Sequence, residues 1–365
     1  MKKRNCKVLL ITAIMLPGLM SVFSTRLTIA QSVPQSPQAH QESERHYGRL
    51  RINAERGLKV NLGNRTTGRI TVNGWDRDVI EAQSVSERGD EVVIMTRGGD
   101  PGTKALFLKA DYADLDQPAV PTSLVPAPPL IDGKPLKVHL EINLPRNVEI
   151  GLIQVWRSEV QVTGMKTPIA VSGDQSSVIL KGTGAVAVRT RSGNVEVEDA
   201  NGTIEVGTTS GAVRVRNVRG SVRVVSISGP IEIKCSRGST RVANTEAPIE
   251  LINIDGEVDA VTTNSSVRFA GPLREDGRYD LKSMSGKVEM ILPDNTSGFD
   301  ATLSSYGGVI ETDFDLRMKS PVSDGTQQRR MVGHFGNGKA RITLDSFEGF
   351  VRLTKGLSGS MPRCN

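Results

Sequence analysis

Aromatic side chains are scarce, at 4% of 365 residues, so the platforms on which sugar rings usually stack are few: Trp75, Trp156, Tyr279 and Tyr306 are the candidates, each more readily read as a corner or capping residue. Histidine occurs four times, as His40, His46, His139 and His334, at spacings that fit neither a metal motif nor a catalytic triad. No segment beyond residue 30 is apolar for the ~20 residues a membrane helix needs. Nothing in the chain identifies a nucleophile. No cofactor is implied.

Charge of one sign is also in short supply once the first residues are set aside. Lys2-Lys3-Arg4 with Lys7, an apolar run from Val8 to Phe23 and the small-residue site Thr28-Ile29-Ala30 predict a secretory signal peptide over 1–30. Pro17 and Gly18 break the run, which argues against a span. Cys6 precedes it, where an acylation cysteine would follow. The exported part therefore begins near Gln31 and belongs in the periplasm or at the cell surface. Five of the 46 basic residues, and none of the 40 acidic ones, lie in that signal, so the formal charge falls from +6 to +1. A nucleic-acid partner, which needs basic residues gathered on one face, is not expected. Of three cysteines, Cys235 and Cys364 remain, in a compartment where they either pair or stay as two free thiols.

What the chain does have is a repeat. Val195, Ile204, Val213, Val222, Ile231, Thr240, Ile249, Val258 and Val267 follow one another at nine-residue steps, each opening a short alternating strand such as Val195-Glu196-Val197. Two kinds of corner alternate between them. One carries Ser-Gly, at Ser192-Gly193, Ser210-Gly211 and Ser228-Gly229; the other ends in a lone glycine, at Gly202, Gly220, Gly238 and Gly256. The period is thus eighteen, and the predicted fold is an all-β solenoid, a single-stranded β-helix with two short strands per coil. A β-meander closed into a barrel or propeller is the competitor, but it has no reason to repeat corner identity at fixed intervals. A coil of this size cannot bury enough surface to fold alone, so neighbours and irregular capping rungs at both ends are expected.

Around the array the chain divides into a Gln/Ser/Pro-rich disordered tether at 31–47, irregular β rungs at 48–97, an inserted loop at 98–135 with Pro118, Pro121, Pro126, Pro128 and Pro129, the solenoid at 136–356 and a tail at 357–365. Beyond Ala270 the spacing lengthens, with Val288 and Val309 each twenty-one residues after its predecessor, so the coils are expected to continue in order with longer corners.

Outward strand positions form two charged columns: Glu196, Arg214, Glu232, Glu250 and Arg268 on one face, Glu205, Arg223, Arg241 and Asp259 on the other. They are either a patterned binding surface for a polar polymer or, the preferred reading, charge that sets register, solubility and edge protection. Glu232 and Glu250 as a glycosidase or lyase pair is the weaker alternative, since no long loops build a cleft around them. The Gly-Gly-x-Gly-x-Asp corners of a calcium β-roll are absent. Asp111, Asp114 and Asp116 in the inserted loop read as a solvated acidic stretch rather than an ion site.

These features resemble a family of exported bacterial adhesin-like proteins with a repetitive β-solenoid domain of unknown function. The likeness rests on Gly74-Trp75-Asp76-Arg77-Asp78, on Leu144-Pro145-Arg146, on the Ser-Gly coils, on Ser285 to Pro293 and on Gly336 to Ile342, and covers about Gly48 to Gly356. It implies an envelope protein with a repetitive β fold, no established reaction and no catalytic residues to carry over. The first functional reading is a non-enzymatic protein of adhesion, scaffolding or envelope maintenance; the sequence does not identify the partner, for which a cell-wall or surface polymer and an envelope protein are the candidates. The proline-rich insertion departs from the family pattern. A stress-response accessory that binds a regulatory partner is a second reading; a polysaccharide-active enzyme is a third.

Overall fold

The computed structural model describes residues 43–47, 49–64, 66–86, 92–98, 104–111, 130–131, 134–135, 137–318, 329–356 and 364. The predicted signal peptide, Cys6, residues 31–42 of the predicted tether, Asp114 and Asp116 lie outside them. Every regular element among the described residues is a β-strand.

Apart from the short antiparallel pair Leu130–Ile131 and Lys134–Pro135, the described strands fall into a 16-stranded and a 14-stranded sheet, and through the repeat the chain alternates between the two. Valine and isoleucine at every second position suit such strands, because branched side chains pack well on a pleated surface. The pairing is parallel with an eighteen-residue offset. Val195 lies beside Val213, then Ile231, Ile249 and Val267 in the smaller sheet, while Ile204, Val222, Thr240 and Val258 run in register in the larger. Inward residues from both sheets meet in one core, with Val197, Val215, Ile233 and Leu251 fully buried. Each contributes roughly 1.5–3 kcal/mol over its exposed state.

The stacked corners demand glycine for two reasons at once. Gly220 has φ +149, in the region L side chains avoid, and an added Cβ would fall inside the van der Waals radius of the Gly202 carbonyl oxygen in the neighbouring coil. Gly220→Ala should therefore cost roughly 2–3 kcal/mol, combining backbone strain with displacement of the coil below. A urea unfolding midpoint equal to that of the unsubstituted chain would show that the corner can relax.

Four expectations are corrected at the ends of the stack. Ser43–Tyr47, assigned to the tether, is a strand antiparallel to Val92–Gly98. Ala105–Asp111, assigned to the inserted loop, is also a strand, parallel to Lys59–Asn64 with Val60 beside Leu106. Its Leu106, Leu108 and Ala110 are buried at period two, a pattern overshadowed by the prolines that follow. His334, assigned to a late loop, sits in the strand Arg329–Gly336. Finally, the coils do not stack in chain order. After Val288–Pro293 the chain skips a position, forms Gly298–Ser305 and Ile310–Thr312, and returns with Ala340–Ser346 and Val351–Gly356 to fill the gap. Val309 is consequently a corner residue; Ile310 begins the strand.

The same displacement occurs at the other end. Val138–Pro145 pairs with the outer side of Arg69–Trp75, whose inner side takes Glu159–Thr163. Antiparallel strands then blunt the sheet edges, as Val79–Ser86 does against Val138–Pro145 and Arg329–Gly336 against Gly298–Ser305.

Candidate functional site

Because side chains alternate across a strand, the residues between the buried valines must point outward, and the eighteen-residue register stacks them in line. On the smaller sheet Glu196, Arg214, Glu232, Glu250 and Arg268 are consecutive ladder neighbours. Glu289, Arg352 and Glu311 extend that column through the displaced coil. Arg268 Nη1 donates to Glu250 at 2.8 Å, and Arg352 Nε donates to Glu311 at 2.8 Å.

Glu232 and Glu250 are the one like-charged step in this series, and the structure relieves it from the side. Arg216 and Lys234, on the adjacent outward row, reach the Glu232 carboxylate at 3.0 and 3.1 Å. Burial alone would raise the Glu232 carboxyl, but hydrogen bonds from Arg216 and Lys234, with their charges, hold it below its ordinary value. A depressed carboxyl stabilises the fold above its unfolded pKa and loses that contribution as pH falls through the folded one. Glu232→Gln should thus lower stability by no more than ~1 kcal/mol at neutral pH, with the difference vanishing on acidification. Denaturant midpoints of both proteins, followed from neutral to acid pH, test this; a gap that widens in acid would contradict it.

On the larger sheet Glu205, Arg223, Arg241 and Asp259 are likewise stacked neighbours, all exposed. Among the described residues, none of these four forms an ion pair. Asp280 follows Asp259 and is held by Arg278 at 2.8 Å. Both predicted columns are thereby assembled, one on each sheet, and they are separated by the core.

The two corner columns carry polar networks that sequence reasoning passed over. At the Ser-Gly corner, Ser226, Ser283, Ser346 and Ser305 each accept a hydrogen bond from the glycine N–H three residues on. Ser283, Ser346 and Ser305 also donate to a carbonyl of the adjacent corner, and Asn244 does the same through Nδ2 to Gly229. The readable signal was a small polar residue at eighteen-residue intervals, Thr190, Thr208, Ser226 and Asn244, three places before the glycine or its substitute.

At the other corner Asp199, Asn217, Cys235 and Asn253 all have positive φ, between 52° and 57°. Cys235 is bonded to Cys364, with Cα atoms 5.5 Å apart, so the pairing left open by the sequence is realised. Both cysteines line a groove of about 780 Å³ beside Arg219, Arg237 and Asp255.

The aromatic candidates sort by burial. Tyr279 is buried edge-on to Phe269 and accepts from the Arg274 N–H at 2.8 Å. Trp75 donates from its indole to the Val79 carbonyl, and Trp156 is buried beneath the Arg157 guanidinium at 4.5 Å. Tyr306 is exposed and stacked on Phe347 at 4.8 Å. His334 binds Asp300 at 3.0 Å, while His139 projects from the smaller sheet. No cluster of three metal-ligating side chains occurs among the described residues, and no helix among them is long and apolar enough to cross a membrane.

A family model described as Toastrack DUF4097 matches residues 137–354. No curated protein matches the chain. A solved structure described as "a putative cell adhesion protein" from Clostridium sporogenes aligns over 87% of this chain and 100% of its own, with 9% identity and a TM-score of 0.20.

Proposed function

Since the chain belongs to the Toastrack DUF4097 family, a domain of unknown function, we propose that it acts without catalysis, as an exported β-solenoid of the cell envelope serving adhesion, scaffolding or envelope maintenance. The stack is read as coils of about 18 residues with two strands each, closed by antiparallel strands at the amino-terminal end of both sheets and at the carboxy-terminal end of the larger one. The observation that carries the function is the pair of long outward faces on which charge is held in register, strand after strand. Such faces offer many weak, repeated contacts, which suits a repetitive polymer better than a small substrate. Two further observations support the reading. The Cys235–Cys364 bridge belongs in an oxidising compartment. Glu232 is held ionised by two cations, whereas a glycoside general acid needs a raised carboxyl.

Sedimentation of the purified chain with cell-wall sacculi and, separately, with outer-membrane vesicles at low and high salt tests the proposal. Co-sedimentation with one of them at low salt, released at high salt, is expected. Absence from both pellets at either salt would overturn it.

A further inference from the structure

Near the amino-terminal end of the smaller sheet an outward trough of about 580 Å³ crosses several strands. That volume lies in the range of ligand sites, roughly 300–1,000 Å³. The floor of the trough carries short polar side chains: Ser177 pairs in register with Glu159, and Asn194 immediately precedes the strand Val195–Glu198. Arg69 and Glu159 neutralise each other at 2.8 Å. Lys137, Arg157 and Arg214 are exposed, and among the described residues no ion pair joins any of them. On the adjacent outward row Lys181, Arg216 and Lys234 are paired, with Glu198 or Glu232. With Glu196 as the remaining carboxylate, the lining carries a net two positive charges when His139 is neutral.

Arg157 is also pre-organised. It stacks over the Trp156 ring at 4.5 Å and its Nε donates to Gln175 Oε1 at 2.7 Å, while its terminal nitrogens make no hydrogen bond among the described residues. The cations are far apart. Lys137 adjoins Val138–Pro145 and Arg214 lies on Val213–Arg219, five positions away in the sheet, or ~24 Å at ~4.8 Å per strand. A single small anion cannot touch both; an extended one can.

Resting on the envelope reading above, we propose that this trough binds a segment of a linear anionic glycan-type polymer whose carboxylate or phosphodiester groups recur along the chain. Lys137, Arg157 and Arg214 meet the anions, and the side chains of Ser177, Asn194 and Gln175 meet hydroxyls. A nucleic acid fits less well, since among the described residues no Trp, Tyr or Phe lines the trough for base stacking.

The test titrates the purified chain with polygalacturonate, with poly(glycerol phosphate), with neutral dextran and with a thymidine oligonucleotide. The first two separate the carboxylate and phosphodiester sources. Binding to at least one of them, weakened by salt, is expected. Lys137→Gln with Arg214→Gln should weaken it at least about tenfold, and Arg157→Gln alone should weaken it measurably. Arg241→Gln, on the opposite sheet, should leave it within about twofold. Lys137, Arg214 and Arg241 are exposed and form no ion pair among the described residues, so the thermal midpoints of their variants should coincide with that of the unsubstituted chain, and a cooperative melt reports that Arg157→Gln, which gives up its stacking on Trp156, is folded. No binding to either anionic polymer, equal loss in Arg241→Gln, equal binding of dextran, or tighter binding of the oligonucleotide would overturn the assignment. Sedimentation with sacculi in the absence of polymer binding would remove the trough and leave the envelope reading standing. Polymer binding without sedimentation would do the reverse.

Discussion

Cys364→Ser is expected to lower the free energy of unfolding by roughly 4 kcal/mol, because the Cys235–Cys364 bridge closes a loop of 129 residues in the unfolded chain. Few single changes elsewhere should match it. Val351–Gly356, last in chain order but next to the end of the stack, lies four positions from Ile231–Arg237 in the smaller sheet, so the bond ties the chain that follows it to a corner in the middle of the array. Repeat arrays lose order from their ends inward, since each coil leans only on its neighbours. Holding the coil beneath the end to the middle opposes the later steps of that route. Guanidinium unfolding of the oxidised chain, the reduced chain and Cys364→Ser provides the check. The latter two should coincide and both fall well below the first; three matching midpoints would mean that the bridge contributes nothing.

Leu344→Ala is the second large effect, at about 2–5 kcal/mol. Ala340–Ser346 is sandwiched between Arg278–Ser283 and Gly298–Ser305, which places Leu344 between Leu281 and Leu303, all three fully buried. Coils stacked in chain order would put Leu344 at the end of the array, where truncation costs less. The substitution therefore measures strand order. A loss below ~1 kcal/mol would argue that the strand lies at an edge. Hydrogen exchange offers an independent reading: amides of Ala340–Ser346 should be protected as well as those of Arg278–Ser283, even though they come near the end of the chain.

The charged columns were legible because they require only two regularities, outward placement at every second residue and an eighteen-residue step, and both are written in Val195 to Arg268. The trough was not legible, since it depends on Lys137 and Arg69 coming onto the same face as Arg157 and Arg214 across a long interruption in the chain. Nor was the lateral rescue of Glu232, where Arg216 and Lys234 act from the neighbouring row.

The same division runs through the whole protein. The amino-acid sequence by itself determined that the repeat is β, that its period is eighteen, that glycine and a small polar residue mark the corners, and which side chains face inward. These follow from local sterics and from the entropy of a coil too small to stand alone, and both act within a few residues or between adjacent coils. Only the tertiary structure decided which coil lies beside which at the ends, that Ala105–Asp111 joins the larger sheet, and that Cys235 meets Cys364. There the connections are long, and closing a long loop costs little more than closing a short one. Chain order therefore ceases to dictate neighbours, and the order that buries most apolar surface and leaves fewest open edges prevails.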